Sequence, residues 1–319
     1  MKEILHQAVV SRELSGKRLD QALARLFTDY SRSRLQGWIR EGRVQVDGRS
    51  CKAKEKVWAG ENILLRAVLV DEGVCEAEDI PLDLLYEDEH LLVVNKPAGL
   101  VVHPAAGNWS GTLQNALLHH DPELAGLPRA GIVHRLDKDT TGLMVVARSL
   151  RAHRFLVEAL QARRIKREYL AVVNGLPAVG GTVDAPIGRH PVNRLRMAVV
   201  AGGKPARTHY RVRERFRAHS LLELQLESGR THQIRVHMAY IHHPLVGDPL
   251  YGGRPRLPAG AGDSLRSLLQ GFARQALHAR RLTLEHPLSG KEMSWESPVP
   301  EDLETLLQGL RHDGEEHGA

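Results

Sequence analysis

The acidic run DEGVCEAEDIPLD, residues 71–83, most constrains how this chain can fold. Residues 71–100 carry nine acids against one Lys. Residues 1–70 hold 14 Lys/Arg against 8 Asp/Glu, and residues 151–217 hold 15 against 4. A polar run of one sign is easily solvated and packs poorly, so a single core is not expected to pass through it. The 319 residues therefore divide into an N-terminal module over 1–70, an acidic linker over 71–83 and a larger module over 84–310. The end, RHDGEEHGA over 311–319, reads as a flexible tail. Two basic segments flanking an acidic one favour contact with a polyanion at two places.

Several classes drop out early. Two cysteines, Cys51 and Cys75, cannot build a disulfide framework or a cysteine-rich metal site, which fits a reducing, cytoplasmic setting. MKEILHQAVV has no signal-peptide core, and no stretch approaches the roughly 18 apolar residues of a membrane helix, so no membrane contact is expected. Nothing in the sequence suggests an obligate interface, so the expected state is a monomer.

In the first module Leu19, Ala22, Leu23 and Leu26 recur at helical spacing. Ser31 can cap a second helix that turns Leu35 and Ile39 inward and Arg32, Arg34 and Arg40 outward. Gly42 ends it, and Val44–Val46 starts a strand closed by an Asp47-Gly48 turn. SRSRLQGWIREGRVQVDG, within residues 16–64, resembles the S4 RNA-binding domain, which implies RNA binding and no chemistry of its own.

In the larger module Leu91–Asn95 is a continuous apolar run, consistent with a buried strand. Further strands are expected at 143–147, 168–173, 206–213, 221–226 and 282–284, and helices at 112–119, 150–161 and 233–240. Strands outnumber helices and often follow one another without a helical crossover. The expected class is α+β with a largely antiparallel or mixed sheet.

Three stretches could carry chemistry. In GIVHRLDKDTTGLMVVARS a polar loop lies between two apolar runs, 131–133 and 143–147, and presents Asp137 beside His134 and Arg135. An ionised carboxylate there could be a nucleophile or a base, and its cationic neighbours favour the charged form. On spacing alone, turn capping explains the same residues equally well. Calcium does not fit: the loop starts like an EF-hand, but the twelfth position is Arg148 where a Glu is needed. In LESGRTHQIRVHMAYIHHPLVGDPLYGG, Arg230, His232, Arg235 and His237 cluster, but the two histidines are five apart, not the four that places a zinc pair on one helical face. Arg230 suits a carboxylate or phosphate through its planar fork. In RRIKREYLAVVNG, Arg164, Lys166 and Arg167 precede Tyr169, a pattern that serves phosphate contact and base stacking as well as it serves a packed strand start.

HRLDKDTTG, KREYLAVVNG and LESGRTHQIRVHMAYIHHPLVGDPLYGG, preceded by NKPAGLVVHP, resemble in order the RluA family of RNA pseudouridine synthases over residues 84–299. GTVDAPIGRHPVNRLRMAV and GKPARTHY look like the large-subunit rRNA synthase D branch of that family. Thr141 stands where many relatives have Ser, and both offer a hydroxyl. The resemblance implies a catalytic Asp137, an Arg230 paired with it, and a Tyr169 stacked on the extruded uracil. It implies that Arg135 enters the space the base leaves, and that His134, Arg164, Lys166, Arg167 and Arg235 serve RNA binding beside Arg32, Arg34 and Arg40. It further implies a 23S rRNA or pre-ribosomal large-subunit substrate at helix 69. An isomerisation without redox change implies no cofactor, no metal site is apparent in the sequence, and the resemblance implies RNA, not DNA, as the nucleic acid. The alternatives are the same chemistry on other rRNA or tRNA uridines, and a non-catalytic ribosome assembly factor with the same basic charge.

Overall fold

The computed structural model describes residues 2–27, 30, 32–69, 75–105 and 108–317. They form two compact units that divide between Val74 and Cys75. Ser31, expected to cap the second helix, and the side chains of Arg32 and Arg34 lie outside the described residues.

The first unit contains β1 (Lys2–Val9), α1 (Leu19–Leu26), α2 (Arg32–Arg40), β2 (Val44–Val46), β3 (Arg49–Ser50) and β4 (Asn62–Leu69). The strands make one antiparallel sheet in the order β1-β4-β2-β3. Leu19 and Leu23 of α1 and Leu35, Trp38 and Ile39 of α2 are buried with Val44, Val46, Ile63 and Leu65. Asp47 and Gly48 both take positive φ, as a two-residue hairpin turn between twisted strands requires. β1 is the strand the sequence hid. Its register is fixed by β4, from Lys2 opposite Leu69 to Val9 opposite Asn62. Leu5 and Val9 are exposed on its outer face, which blurs the apolar/polar alternation that marks a half-buried strand.

The second unit begins at Cys75. Its elements are β5 (Leu84–Glu87), β6 (Leu91–Lys96), α3 (Leu113–His120), β7 (Thr141–Ala147), α4 (Leu150–Gln161), β8 (Lys166–Asn174), β9 (Gly180–Asp184), β10 (Ile187–Arg189), β11 (Met197–Val199), β12 (Arg207–Arg215), β13 (His219–Leu226), α5 (Gln233–Tyr240), α6 (Asp263–Gly271), β14 (Leu277–Glu285), β15 (Glu292–Glu296) and α7 (Glu301–Glu316). The main sheet runs β5-β6-β7-β14-β8-β13-β12-β9, with β15 also on β14 and β10-β11 apart as a hairpin. Its pairings are antiparallel except β7 with β14, so the expected mixed α+β sheet is found.

Alternation assigns the two faces. Leu92, Val94, Met144, Val146, Ala171 and Leu224 point to one side, under α3 and α5. Leu91, Val93, Leu143 and Val145 point to the other, under α4. Leu170, Val172 and Leu221 join α6 and α7 in a further cluster. Burial on both faces explains why Leu91–Val94 reads as an unbroken apolar run.

Two boundaries differ from expectation. The acidic stretch is not a free linker from Cys75 onward: the Glu78 carboxylate accepts the Gly111 N–H (3.0 Å), and the Glu76 carbonyl accepts from Asn115 Nδ2 (2.8 Å). One carboxylate and one backbone carbonyl of this stretch thus satisfy donors around the start of α3, a use that charge patterning does not reveal. The chain end is not frayed over 311–317 either. α7 continues to Glu316 because Asp313, buried, is held by Arg217 Nη1 at 2.9 Å, far away in sequence.

Candidate active site

β14 is shared by two strands along one edge. At its start His278 lies opposite Thr141 and Ala279 opposite Gly142 of β7; further on, Arg281–Glu285 pairs with β15. The loop HRLDKDTTG enters β7 at this split. Gly142, at φ +110°, lets the two backbones close, since a Cβ there would collide with the Ala279 carbonyl. Tyr169 of β8 lies on the other side of the same Ala279. The topology thus brings the loop of Asp137, which leads into β7, and Tyr169 of β8 to either side of β14.

The loop is pinned from several directions. The Asp137 carbonyl accepts the Thr140 N–H at 3.1 Å, closing a turn. Lys96, fully buried, donates its three ammonium hydrogens to the carbonyls of Pro97 (2.7 Å), Leu100 (3.0 Å) and Lys138 (2.8 Å). Burial pulls the Lys96 pKa down to about 7, against the opposing charges of Asp139 and Asp137. Arg274 Nη1 donates to the Asp139 carbonyl (3.3 Å), and Gln275 Nε2 to Thr140 Oγ1 (3.0 Å). Thr141 Oγ1 and His278 Nδ1 share a hydrogen bond of 2.9 Å. On the upstream side, the apolar run 131–133 follows a tight turn at Pro128–Gly131 and makes one bridge, from Ile132 to Val146. Gly131 sits there at φ +78° against the Ala147 carbonyl, where a Cβ could not fit. A side chain on a loop held this way needs little reorganisation to act.

Asp137 faces α5. Arg235 Nη1 donates to Asp137 Oδ2 at 2.9 Å. The same guanidinium grips Asp248 with two hydrogen bonds, from Nε (2.7 Å) and Nη2 (2.9 Å), and lies over the Tyr251 ring. Asp248 also accepts the Leu250 and Tyr251 N–H groups. Burial opposes the charge on Arg235, but Asp248 first and Asp137 next raise its pKa above the ordinary arginine value. His232, at left-handed φ in front of α5, places Nε2 3.9 Å from Asp137 Oδ1 and shares Nδ1 with the Tyr251 hydroxyl (2.9 Å). Burial lowers the His232 pKa against the pull of Asp137.

These contacts correct the expected roles. Arg230 does not pair with Asp137: its Nε donates to the Pro205 carbonyl at 3.2 Å. It precedes α5, whereas Arg235 lies in the first turn on the buried side of that helix. Sequence offered two arginines five apart, and the helix start decides between them. Arg235, expected to touch RNA, is only 4% exposed, with both carboxylates on its fork. His134 is not free for RNA through Nε2, which accepts the Val145 N–H at 3.0 Å; burial, then Arg167, pushes its pKa down to about 3. Arg164 and Lys166 lie away from Asp137: Arg164 pairs with Glu285 at 3.1 Å, and Lys166 lies 3.8 Å from Glu292. Arg40 of the first unit is exposed, its Nε donating to the Gln36 carbonyl. Asp248, Tyr251 and Lys96 were passed over. All three fall inside the quoted motifs, but only tertiary contact reveals their partners.

Tyr169, 5% exposed, lines a narrow cleft of ≈ 70 Å³ together with Asp137, Arg135, Arg167 and Arg235. Burial raises the pKa of its phenol, against a lowering by Arg167. Arg135 is exposed on the rim. A carboxylate held by a buried guanidinium, with a tyrosine beside it and basic walls around it, defines a site for nucleophilic or acid–base chemistry on an anionic polymer.

The chain matches the family model described as RNA pseudouridylate synthase over residues 90–240 and the S4 domain model over residues 17–63. It is 59% identical over 311 residues to "Ribosomal large subunit pseudouridine synthase D" of Escherichia coli K12, covering 97% of this chain and 95% of that protein. To the protein of the same name from Pseudomonas aeruginosa it is 58% identical over 316 residues, covering 99% of each. The solved structure "Human RNA Pseudouridylate Synthase Domain Containing 4" aligns with a TM-score of 0.56 at 29% identity, over 72% of this chain and 93% of that one. The chain belongs to the RluA family of RNA pseudouridine synthases and carries an N-terminal S4 domain. Among the described residues, no helix is long and apolar enough to cross a membrane.

Proposed function

We propose that this chain converts uridines of 23S rRNA, in the helix 69 stem-loop, to pseudouridine, with Asp137 as the catalytic carboxylate. The observation that carries this reading is the meeting of Asp137, Arg235 and Tyr169 in one cleft. The names of the relatives supply the large-subunit rRNA target.

In the proposed reaction the uridine leaves the helix stack at a cost of a few kcal/mol, offset by contact with Tyr169 and by Arg135 entering the gap. Asp137 acts on the ribose, either attacking C1′ or taking the C2′ proton. The N1–C1′ bond breaks, the uracil rotates and C5 bonds to C1′, which releases the Asp137 oxygen from C1′ in the first case and is accompanied by return of the proton from Asp137 to C2′ in the second. The C5 proton is then lost and N1 is protonated. Arg235 serves as counter-charge and fixes the carboxylate, with Asp248 fixing Arg235 in turn. No step changes oxidation state, so the reaction uses no cofactor. The S4 unit supplies further RNA contact, Arg32, Arg34 and Arg40 among it, and Arg167 contributes from the cleft wall. The chain acts as a monomer in the cytoplasm.

The test is complementation. In a strain lacking its own enzyme for this site, expression of the chain restores carbodiimide-dependent primer stops in helix 69. Stops restored only elsewhere, or none, contradict the proposal.

A further inference from the structure

Beside the narrow cleft lies a second, larger cavity of ≈ 480 Å³. The two share Arg135, Arg167, Gly229 and Arg230 along their common wall. The chemistry proposed above uses only the first. The second also takes Arg129 and Arg163 into its lining, so five guanidinium groups face one space whose one acidic lining residue is Glu227. Glu227 is engaged by Arg163, Arg207 and His209. No carboxylate pairs with Arg129, Arg135, Arg167 or Arg230 among the described residues.

Two buried polar atoms in this wall lack partners. Arg167 is 8% exposed, yet its Nε has no hydrogen-bond partner, and the same holds for Nδ1 of His103. A buried guanidinium N–H without an acceptor is unfavourable unless something fills the position. The backbone points the same way. Arg129 and Ala130 both adopt left-handed conformations, φ 53° and 51°, which non-glycine residues rarely take and which place Arg129 in the cavity wall.

We infer that this cavity is a second, anion-binding subsite that holds a phosphodiester of the RNA strand next to the reacting uridine, through Arg129, Arg135 and Arg167. This rests on the RNA reading of the adjoining cleft. A guanidinium fork matches phosphate oxygens, and the shared wall lets one strand occupy both spaces at once. The cavity exceeds what one phosphate needs, leaving room for the attached ribose beside the apolar wall of Ile132, Val133 and Leu160.

Arg129 tests the inference, because it lines the cavity and not the cleft with Asp137. The full chain and its Arg129→Gln and Arg129→Lys variants are titrated with RNA stem-loops, each carrying one neutral methylphosphonate linkage at a defined place. Arg129→Gln is expected to weaken binding about 10-fold, the scale of one charge-assisted contact. Its salt slope should flatten by about 0.7, the value for one single-strand phosphate. Arg129→Lys recovers part of the loss. One neutral linkage flanking the uridine weakens the unmodified chain by a similar factor and costs Arg129→Gln nothing further. Unchanged affinity of Arg129→Gln overturns the inference, and so does a linkage penalty that adds in full to the variant's loss at every position. Binding is read without turnover, so these results stand apart from failure of the catalytic proposal, which appears as an unmodified chain that binds RNA and forms no pseudouridine.

Discussion

Replacing Arg235 should do far more damage than replacing Arg230, the reverse of what the motif alone implies. Arg235 lies between Asp137 and Asp248, and the Asp248 side chain has no solvent exposure. Arg235→Gln leaves Asp248 with two backbone N–H donors and no cation. Removing one partner of a buried ion pair costs about 3–5 kcal/mol, a large part of the 5–15 kcal/mol that holds a typical domain together. Arg235→Lys keeps the charge but cannot bridge both carboxylates as the fork does. Its expected loss is smaller in stability and still large in rate, about 100-fold in kcat, as for a misplaced catalytic group. Arg230→Gln removes one contact to a backbone carbonyl and should change stability by under about 0.5 kcal/mol. Urea unfolding gives the stabilities, and single-turnover pseudouridine formation gives the rates. If Arg230→Gln abolished turnover while Arg235→Lys stayed fully active, the assignment of Arg235 to Asp137 would be wrong.

Three further outcomes follow from the same contacts. Tyr169→Phe should bind RNA within about twofold of the unmodified chain and Tyr169→Leu about 10-fold more weakly, since aromatic stacking contributes roughly 1–3 kcal/mol per base; equal losses in a binding titration would argue against stacking. Arg274, bonded to Asp302 at one end and to the Asp139 carbonyl at the other, holds the loop without lining the cleft. Arg274→Met should lower kcat by about 10- to 100-fold with little change in KM, and a loss confined to KM would contradict that positioning role. Acid should destabilise the fold before carboxylates titrate. Burial holds His134 at about 3 and His219 and His278 at about 4, below the ordinary 6.5. The unfolded chain then binds more protons, so stability falls as pH drops below about 6.5, by roughly 1.4 kcal/mol per pH unit for each histidine, until the folded values are reached. Urea midpoints unchanged between pH 6.5 and 5 would refute this.

What was legible in the sequence was local. Leu91–Val94 is buried on both faces and shows it as a run, while α4, capped by Ser149, and α5 occupy the expected residues. HRLDKDTTG stands out because so many polar side chains sit against an apolar strand. What stayed hidden depends on distant partners. The choice between Arg230 and Arg235 is made by where α5 begins relative to Asp137, almost 100 positions earlier. Lys96 looks like a surface lysine beside Pro97 until Lys138 supplies its third carbonyl. The tail's helix is tied down by distant partners, Arg217 at Asp313 and Glu214 at Arg311. Periodicity sees none of these, since each joins segments that folding alone brings together.

The central claim is that the Asp137 carboxylate performs the chemistry, and Asp137→Asn tests it most directly. The substitution keeps the shape and an oxygen for Arg235 but removes the charge. Pseudouridine formation on an RNA that the unmodified chain modifies, read by carbodiimide primer stops, should vanish while RNA binding persists. An Asn variant that still forms pseudouridine at an appreciable rate would contradict the account.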